Sequence, residues 1–471
     1  MLTRKPTSKV TITIIYQHKI YVDENMPMNP KKTILFTLII FTFLVSLSIF
    51  SPMMHIKSQQ QPPQHPSKTL ASHQITMESC IPSLLQQVKT QRIKQYLTDI
   101  VNFGRRPTQS NACKQTAAYI LDTFQQFNLS VEYQNWTYPL VSGSNVIATQ
   151  PGTQSNANEF FIISAHYDTW WNTTGANDDA SGIAAMLTIA EILSNYEFNY
   201  TIKYIAFSGH ETGPGYLYGS TYYAKQVYET NQNILGVLNM DMIGNTTSEG
   251  NTIQIQGKQI SHWLLQHIQQ VNQDYANQFT MTIEQFYNYP GADETSFMDY
   301  GYDAILFIQS HYWQPPNHQP EDNITTINFD FLTNATQLIL ASMATLANKP
   351  IPVHVSITQP KKDFLYIYDT PLYHLSGKVN LRNIGLRGMT YLLGDTTITL
   401  DIATDEQIKT VYFIIDNQLT YKNTVTNPPY QFILKQRQGY NLLTGKHTIT
   451  VCVVTTTGSV AYDEMDVYFL P

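Results

Sequence analysis

Phe160-Phe161-Ile162-Ile163-Ser164-Ala165, followed at once by His166-Tyr167-Asp168, decides the reading of this chain. The apolar run is of strand type, and it ends in an imidazole and a carboxylate. Gly175-Ala176-Asn177-Asp178-Asp179-Ala180-Ser181-Gly182 then leads into an apolar helix. A second strand-like run, Thr201 to Phe207, ends in Ser208-Gly209-His210-Glu211, and a third, Ile234 to Met240, ends in Asp241-Met242-Ile243-Gly244. Three strands that each deliver a ligand-type residue at the C-terminal end fit the rule for where open α/β sheets place their sites. With His318 further on, the set is His166, Asp178, Glu211, Asp241 and His318. Two imidazoles and three carboxylates without a thiolate suit zinc. A carboxylate that bridges two ions is how a two-metal hydrolase clamps its water and substrate.

Five ordered motifs carry a family resemblance: His166-Tyr167-Asp168, Asp178-Asp179-Ala180-Ser181-Gly182, Glu211, Asn239-Met240-Asp241-Met242 and His318-Gln319-Pro320-Glu321-Asp322. Over roughly Ile93 to Ala347 the chain resembles the zinc exopeptidases, which include bacterial leucyl aminopeptidases, glutamate carboxypeptidases and, as a structural relative, glutaminyl cyclases. The resemblance implies a mixed central sheet sandwiched by helices and a pair of zinc ions. It implies that His166 and Asp241 hold one ion, that Glu211 and His318 hold the other, and that Asp178 bridges them. Asp178 rather than Asp179 takes that place because the bridging position lies three before the Ser of the Ser-Gly pair. Asp168 is expected to accept a hydrogen bond from the ring of His166 and so orient it. The activity implied is removal of N-terminal residues from peptides through a metal-bound hydroxide.

Two positions depart from the family. The Glu that precedes the zinc-binding Glu, the family's general base, is His210 here. A neutral imidazole is itself a common base near pH 7, so His210 and Glu211 are the expected catalytic pair. Asp293-Glu294 stands where the family has Ser-Asp-His; Asp293 keeps the supporting role and the histidine is missing. Two other readings stay open: a metal-binding recognition or adhesion module whose catalysis is impaired, and acyl transfer of the glutaminyl-cyclase type.

The 471 residues are too many for one ordinary core. A net charge of −7 with no basic patch near the motifs excludes a dedicated nucleic-acid binder. Thr33 to Phe50 is an uncharged apolar run preceded by Lys31-Lys32. It reads as a signal peptide or a single membrane anchor with the N-terminus in the cytoplasm and the rest exported. Of three cysteines, Cys80 and Cys113 are candidates for pairing, and Cys452 for a buried free thiol.

The expected organisation is a basic segment over 1–32, the signal or anchor over 33–54, a Gln/Pro-rich disordered linker over 55–75, a di-zinc peptidase domain over 76–350 and an Ig-like β-sandwich over 351–471. Helical spacing runs from Ser83 to Phe103, Cys113 to Phe127, Gly182 to Leu193 and Ser261 to Tyr275, and Val131 to Tyr138 and Ser144 to Thr149 read as strands. Beyond Pro350 short alternating runs dominate, and Gly445 to Val451 with Thr457-Gly458-Ser459 resembles the last hairpin of bacterial Ig-like domains. Trp170-Trp171 and Tyr312-Trp313 crowd the metal motifs, as a pocket wall or as loop packing, and His311 reads as structural. The partners expected are peptides, and a membrane if the apolar run stays uncleaved.

Overall fold

The structure is a computed structural model. It describes residues 77–470 apart from 154–158, 214–216, 231, 246–249, 259–260, 288–290, 311–315, 349–352, 376–388, 417 and 436–443. The apolar run over 33–54, the linker, His311 and Tyr312-Trp313 lie outside the described residues. No helix among the described residues is long and apolar enough to cross a membrane.

Eight strands form one mixed sheet: β1 (Ser130–Tyr138), β2 (Val141–Gln150), β3 (Glu159–His166), β4 (Thr201–Phe207), β5 (Asn233–Met240), β6 (Thr252–Gly257), β7 (Thr282–Tyr287) and β8 (Ala304–Gln309). Their order is β1-β2-β4-β3-β5-β8-β6-β7. The central strands β4, β3, β5 and β8 run parallel, so their C-terminal ends share one edge. The remaining strands add antiparallel pairings on both sides, β2 with β4 and β6 with β8.

Strand β3 shows why the sheet is covered twice. Side chains alternate across a strand, and here both sets are apolar. Phe161, Ile163 and Ala165 join one buried cluster, while Phe160 and Ile162 join another. That is the signature of a parallel strand buried on both faces.

The helices are α1 (Met77–Leu85), α2 (Thr90–Val101), α3 (Asn111–Gln126), α4 (Ala180–Leu193), α5 (Tyr218–Glu229), α6 (His262–Asp274), α7 (Glu294–Met298) and α8 (Phe329–Leu346). In α4 every residue but Glu191 is buried, because α2 and α8 pack over it. Glu191 accepts from Arg92 Nε and Nη2, each at 2.8 Å, and from Tyr96 Oη at 2.9 Å. On the opposite face α5 and α7 supply Tyr223, Val227 and Phe297. The helical spacing over Ser83 to Phe103 resolves into two helices, α1 and α2, because the chain turns at Gln86–Lys89. The pairing of Cys80 with Cys113 is not formed; all three cysteines are free of disulfides, with Cys113 and Cys452 buried.

From His354 the chain is all β: β9 (His354–Gln359), β10 (Phe364–Ile367), β11 (Thr370–His374), β12 (Thr390–Leu393), β13 (Thr396–Ala403), β14 (Ile408–Ile415), β15 (Gln418–Val425), β16 (Gln431–Leu434), β17 (Gly445–Thr455) and β18 (Val460–Phe469). A seven-stranded sheet, β11-β10-β12-β18-β17-β14-β15, and a three-stranded sheet, β16-β13-β9, enclose a separate apolar core. β18 alternates buried and half-buried residues along its length, as a sandwich strand must.

This sandwich rests on the end of the α/β sheet remote from the C-terminal ends of β3, β4 and β5. Tyr228 Oη of α5 donates to Asp363 Oδ2 at 3.1 Å, and the His262 ring of α6 meets Tyr462 edge-on at 6.1 Å. Lys362 Nζ, 3.5 Å from Asp463 Oδ1, lies against Gly301 just ahead of β8.

Candidate metal centre

His166 closes β3, and its backbone N–H is 3.3 Å from Asp179 Oδ2. Nδ1 lies 3.1 Å from the carbonyl oxygen of Asp168, so Nδ1 carries the proton and Nε2 presents a lone pair. That Nε2 sits 3.1 Å from Asp178 Oδ1 and 3.7 Å from Asp241 Oδ1. The other oxygen of Asp178 faces a second imidazole: His318 Nε2 is 3.3 Å from Asp178 Oδ2 and 3.0 Å from Glu211 Oε1. The five expected residues therefore converge, with Asp178 between a His166–Asp241 half and a Glu211–His318 half. Asp179 points away; its carboxylate caps α4 through Gly182 N at 3.0 Å and holds Met242 N at 3.2 Å.

The role expected of Asp168 needs correcting in its atoms. Its backbone oxygen, not its carboxylate, meets the His166 ring; the nearest carboxylate oxygen is 3.7 Å away. The carboxylate instead gathers the turn after β4, accepting from Gly209 N at 3.1 Å, Glu211 N at 3.0 Å and Thr108 Oγ1 at 2.5 Å. One residue thus aims His166 with its backbone and Glu211 with its side chain. Gly209 adopts φ +81°, and a Cβ there would meet the Trp136 ring at 2.7 Å. Only glycine lets the turn lie flat on that indole.

Asp322 and Arg106 were not singled out as positioning groups in the sequence, and Trp170 was read there only as pocket wall or loop packing. Asp322 accepts from Asn177 N at 2.8 Å and Asp178 N at 3.1 Å, which fixes the turn that carries the central carboxylate. Arg106 is wholly buried, and its guanidinium donates to the carbonyls of Tyr167 (3.0 Å), Gly104 (3.1 Å), Thr174 (2.7 Å) and Gly175 (3.2 Å). Trp170 stacks on His318 with centroids 4.8 Å apart and planes within 7°, while Trp171 points outward, 64% exposed. His318 and Met242 both hold positive φ, +54° and +51°. Such backbone in non-glycine residues is uncommon and clusters at functional sites.

Whether these residues suit a cation is tested by their unmet needs. His166 Nε2 and Asp241 Oδ1 are buried and have no hydrogen-bond partner, a costly state for polar atoms unless something else satisfies them. Donor atoms of His166, Asp178 and Glu211 all fall within 4.8 Å of one another. The local field favours positive charge. Burial opposes a charged His166, yet Asp168, Asp178 and Asp241 hold its pKa well above the usual value. Hydrogen bonds to Asp178 and Glu211 push His318 up to about 10. Burial and the Asp178 charge raise Glu211. The donor set is one that zinc takes.

His210 follows the turn that aims Glu211. Its Nδ1 is 3.1 Å from Asp293 Oδ2 and its Nε2 is 3.8 Å from Asp241 Oδ2. Burial and the neighbouring His166 lower its pKa; the charge and hydrogen bond of Asp293, with Asp241, outweigh them and bring it to about 10. The rings of His210 and His166 stack at 3.9 Å and 10°. Ligand atoms of His166, His210 and Asp241 also lie within 4.8 Å of one another, so His210 stands within reach of a cation at the His166 half. Glu294, where the family has histidine, is buried with its carboxyl on Ala292 N and Asn239 Nδ2.

A cavity of about 190 Å³ opens from the cluster. Asp178, His210, Glu211, Asp241 and His318 form one side, and Met242, Ala292, Leu306 and Ile308 form an apolar wall opposite.

Residues 145–343 match the family model described as "Peptidase family M28", a span that holds all five converging residues. A "Probable zinc metalloprotease" of Pyrenophora teres f. teres is 26% identical over 345 residues, covering 58% of this chain and 70% of the relative. Another of that description, from Phaeosphaeria nodorum, is 24% identical over 363 residues, 59% of this chain and 72% of the relative. Among solved structures, LapB from Legionella pneumophila aligns with a TM-score of 0.53 and 21% identity, over 58% of this chain and 76% of that one. The LapA aminopeptidase of the same organism aligns with a TM-score of 0.52 and 18% identity, over 63% and 81%. At such identities the solved structures establish the likeness of the α/β fold.

Proposed function

We propose that this chain, a zinc metallopeptidase of family M28 by the match over residues 145–343, is an aminopeptidase that binds two zinc ions and cuts single residues from the free N-termini of peptides. The observation that carries the reading is the split of Asp178 between two His–carboxylate halves at one side of a cavity. His166 and Asp241 would hold one ion, Glu211 and His318 the other, with Asp178 shared. Bound there, zinc polarises a carbonyl and makes water a nucleophile at neutral pH.

The chain's own residues supply the rest. The described lining of the cavity has carboxylates but no Lys or Arg. A peptide's N-terminal ammonium suits such a wall, whereas a C-terminal carboxylate calls for a cation, most often Arg. His210 donates Nδ1–H to Asp293, which leaves Nε2 to take the proton of the attacking water and return it to the leaving amine. A cation on Asp241 would offset one of the charges that raise His210, while the charge and hydrogen bond of Asp293 would still hold its ring in place. Asp168, Asp322 and Arg106 hold the loops so that the ligands need not be ordered on binding.

The apolar run over 33–54 supports export, with the enzyme outside the cytoplasm, either anchored or released. The test of the function is zinc content together with cleavage of matched free and N-acetylated peptides. Release of the first residue from free peptides alone is expected. Shortening of N-acetylated peptides from the C-terminus would reverse the direction, and zinc-loaded protein that cuts neither would overturn the reading.

A further inference from the structure

Gln256 is an amide in the cavity lining beside the apolar side chains of Met242, Leu306 and Ile308. β8 turns Leu306 and Ile308 toward the cavity, and the antiparallel neighbour β6 places Gln256 opposite Leu306 and Gln254 opposite Ile308. On the other face of β6, Ile253 and Ile255 enter the main core fully buried. Both glutamines are 3% exposed. A site that takes purely apolar side chains would be better served by apolar residues there, since buried amides are costly unless bonded.

The two amides are polarised in series. Gln254 Nε2 donates to Glu284 Oε2 at 3.1 Å, and Ser310 Oγ lies 3.4 Å from the same oxygen. An ionised carboxylate only accepts, so the amide group of Gln254 faces it and Oε1 turns the other way. That Oε1 accepts from Gln256 Nε2 at 3.3 Å. Gln256 Oε1 is the end of the chain of bonds. It accepts no hydrogen bond from a described residue, and Gln256 lines the cavity.

We infer that Gln256 is a specificity-determining residue that presents a fixed acceptor to the tip of the substrate's first side chain, and that the preferred first residue has an unbranched aliphatic stem ending in an N–H donor, as in lysine or glutamine. The stem lies along Met242, Leu306 and Ile308. This rests on the exopeptidase reading, in which the cavity receives the first side chain. A site built to hydrogen-bond a polar tip rejects the analogue that lacks it far more strongly than an apolar slot rejects one methylene.

The test is calorimetric binding of the hydroxamates of lysine, glutamine and norleucine to the zinc-loaded full chain. At least one of the first two should bind about tenfold more tightly than norleucine hydroxamate. Gln256→Leu should abolish or invert that preference, with Gln256→Met as a second apolar replacement should the leucine variant not fold. Gln256→Glu should favour lysine over glutamine if the ammonium is the natural tip, and leave glutamine ahead if the amide is. Norleucine binding as well as both others, a preference that survives Gln256→Leu, or no binding by any of the three overturns the inference. A preference that holds in zinc-loaded protein that cleaves no peptide would sink the peptidase reading and leave Gln256 assigned.

Discussion

Replacing Arg106 by Met removes a guanidinium that ties together the loops around the metal cradle. Its guanidinium donates to four carbonyls at 2.7–3.2 Å, those of Tyr167 and Gly175 in buried contacts and those of Gly104 and Thr174 in part-buried ones. Each carbonyl left without a partner costs about 1 kcal/mol or more, so the gross loss is about 4 kcal/mol. Part is offset because burial already disfavours the charge, lowering its pKa to about 10. A net loss of about 3 kcal/mol follows, near the lower bound for breaking a buried charge network. Urea unfolding should show a lower midpoint at an unchanged slope. Thr174 and Gly175 lead directly into the Asp178 turn, so zinc affinity measured by chelator competition should fall about tenfold, in the range for groups that orient ligands. Arg106→Lys keeps the charge but not the fork, and should recover less than half of either loss. A Met variant within about 1 kcal/mol of the parent and with equal zinc affinity would refute the idea that these bonds hold the cradle.

Asp178→Ala should release both zinc ions, whereas His318→Ala should chiefly weaken one; metal analysis after dialysis distinguishes them. Burial raises Asp303 from the ordinary 3.8 to about 7. An acid raised on folding binds more protons folded than unfolded between those values, so stability falls as pH rises from about 4 to 7 and stays reduced above. Asp303→Asn, which keeps an acceptor for Trp263 Nε1 at the 2.6 Å contact, should therefore raise the melting temperature at pH 8 and not at pH 4. The expected gain at pH 8 is on the order of 4 kcal/mol. A chain ended after Lys349 should cleave short peptides within about twofold of the parent, because the sandwich docks at the far end of the sheet. It should melt earlier, since Tyr228 and the surface around Asp303 lose their cover.

The central strands were legible because β3, β4 and β5 are mostly apolar runs, β4 broken only by Lys203, each followed by polar ligand-type residues, a pattern that needs no tertiary information. The all-β region from His354 was legible for a different reason, the period-two alternation of its short runs. Strand β6 was not: its Ile and Gln alternate as on a half-exposed strand, while both faces are buried, one by the core and one by the cavity. The five converging residues were carried by ordered motifs. Their supports escaped because each acts across space: Arg106 reaches carbonyls some sixty to seventy positions away, and Asp322 reaches the N–H groups of Asn177 and Asp178. Asp322 stands in a quoted motif, but nothing local marks it as a backbone acceptor. The division of labour in Asp168, backbone to His166 and carboxylate to the Glu211 turn, depends on two strand ends meeting, which periodicity does not encode. The break after α1 was hidden because apolar spacing continues through the turn.

The most direct measurement is peptide turnover by His210→Ala, compared with the parent at equal zinc content. Nε2 of His210 stands beside Asp241, with Nδ1 held by Asp293, and removal of a positioned base costs about 10²–10⁴-fold. The variant should keep both zinc ions, lose turnover by that factor with KM little changed, and recover in His210→Glu with the acidic limb of the pH profile moved downward. A His210→Ala protein that retains zinc and cleaves as fast as the parent would contradict the account.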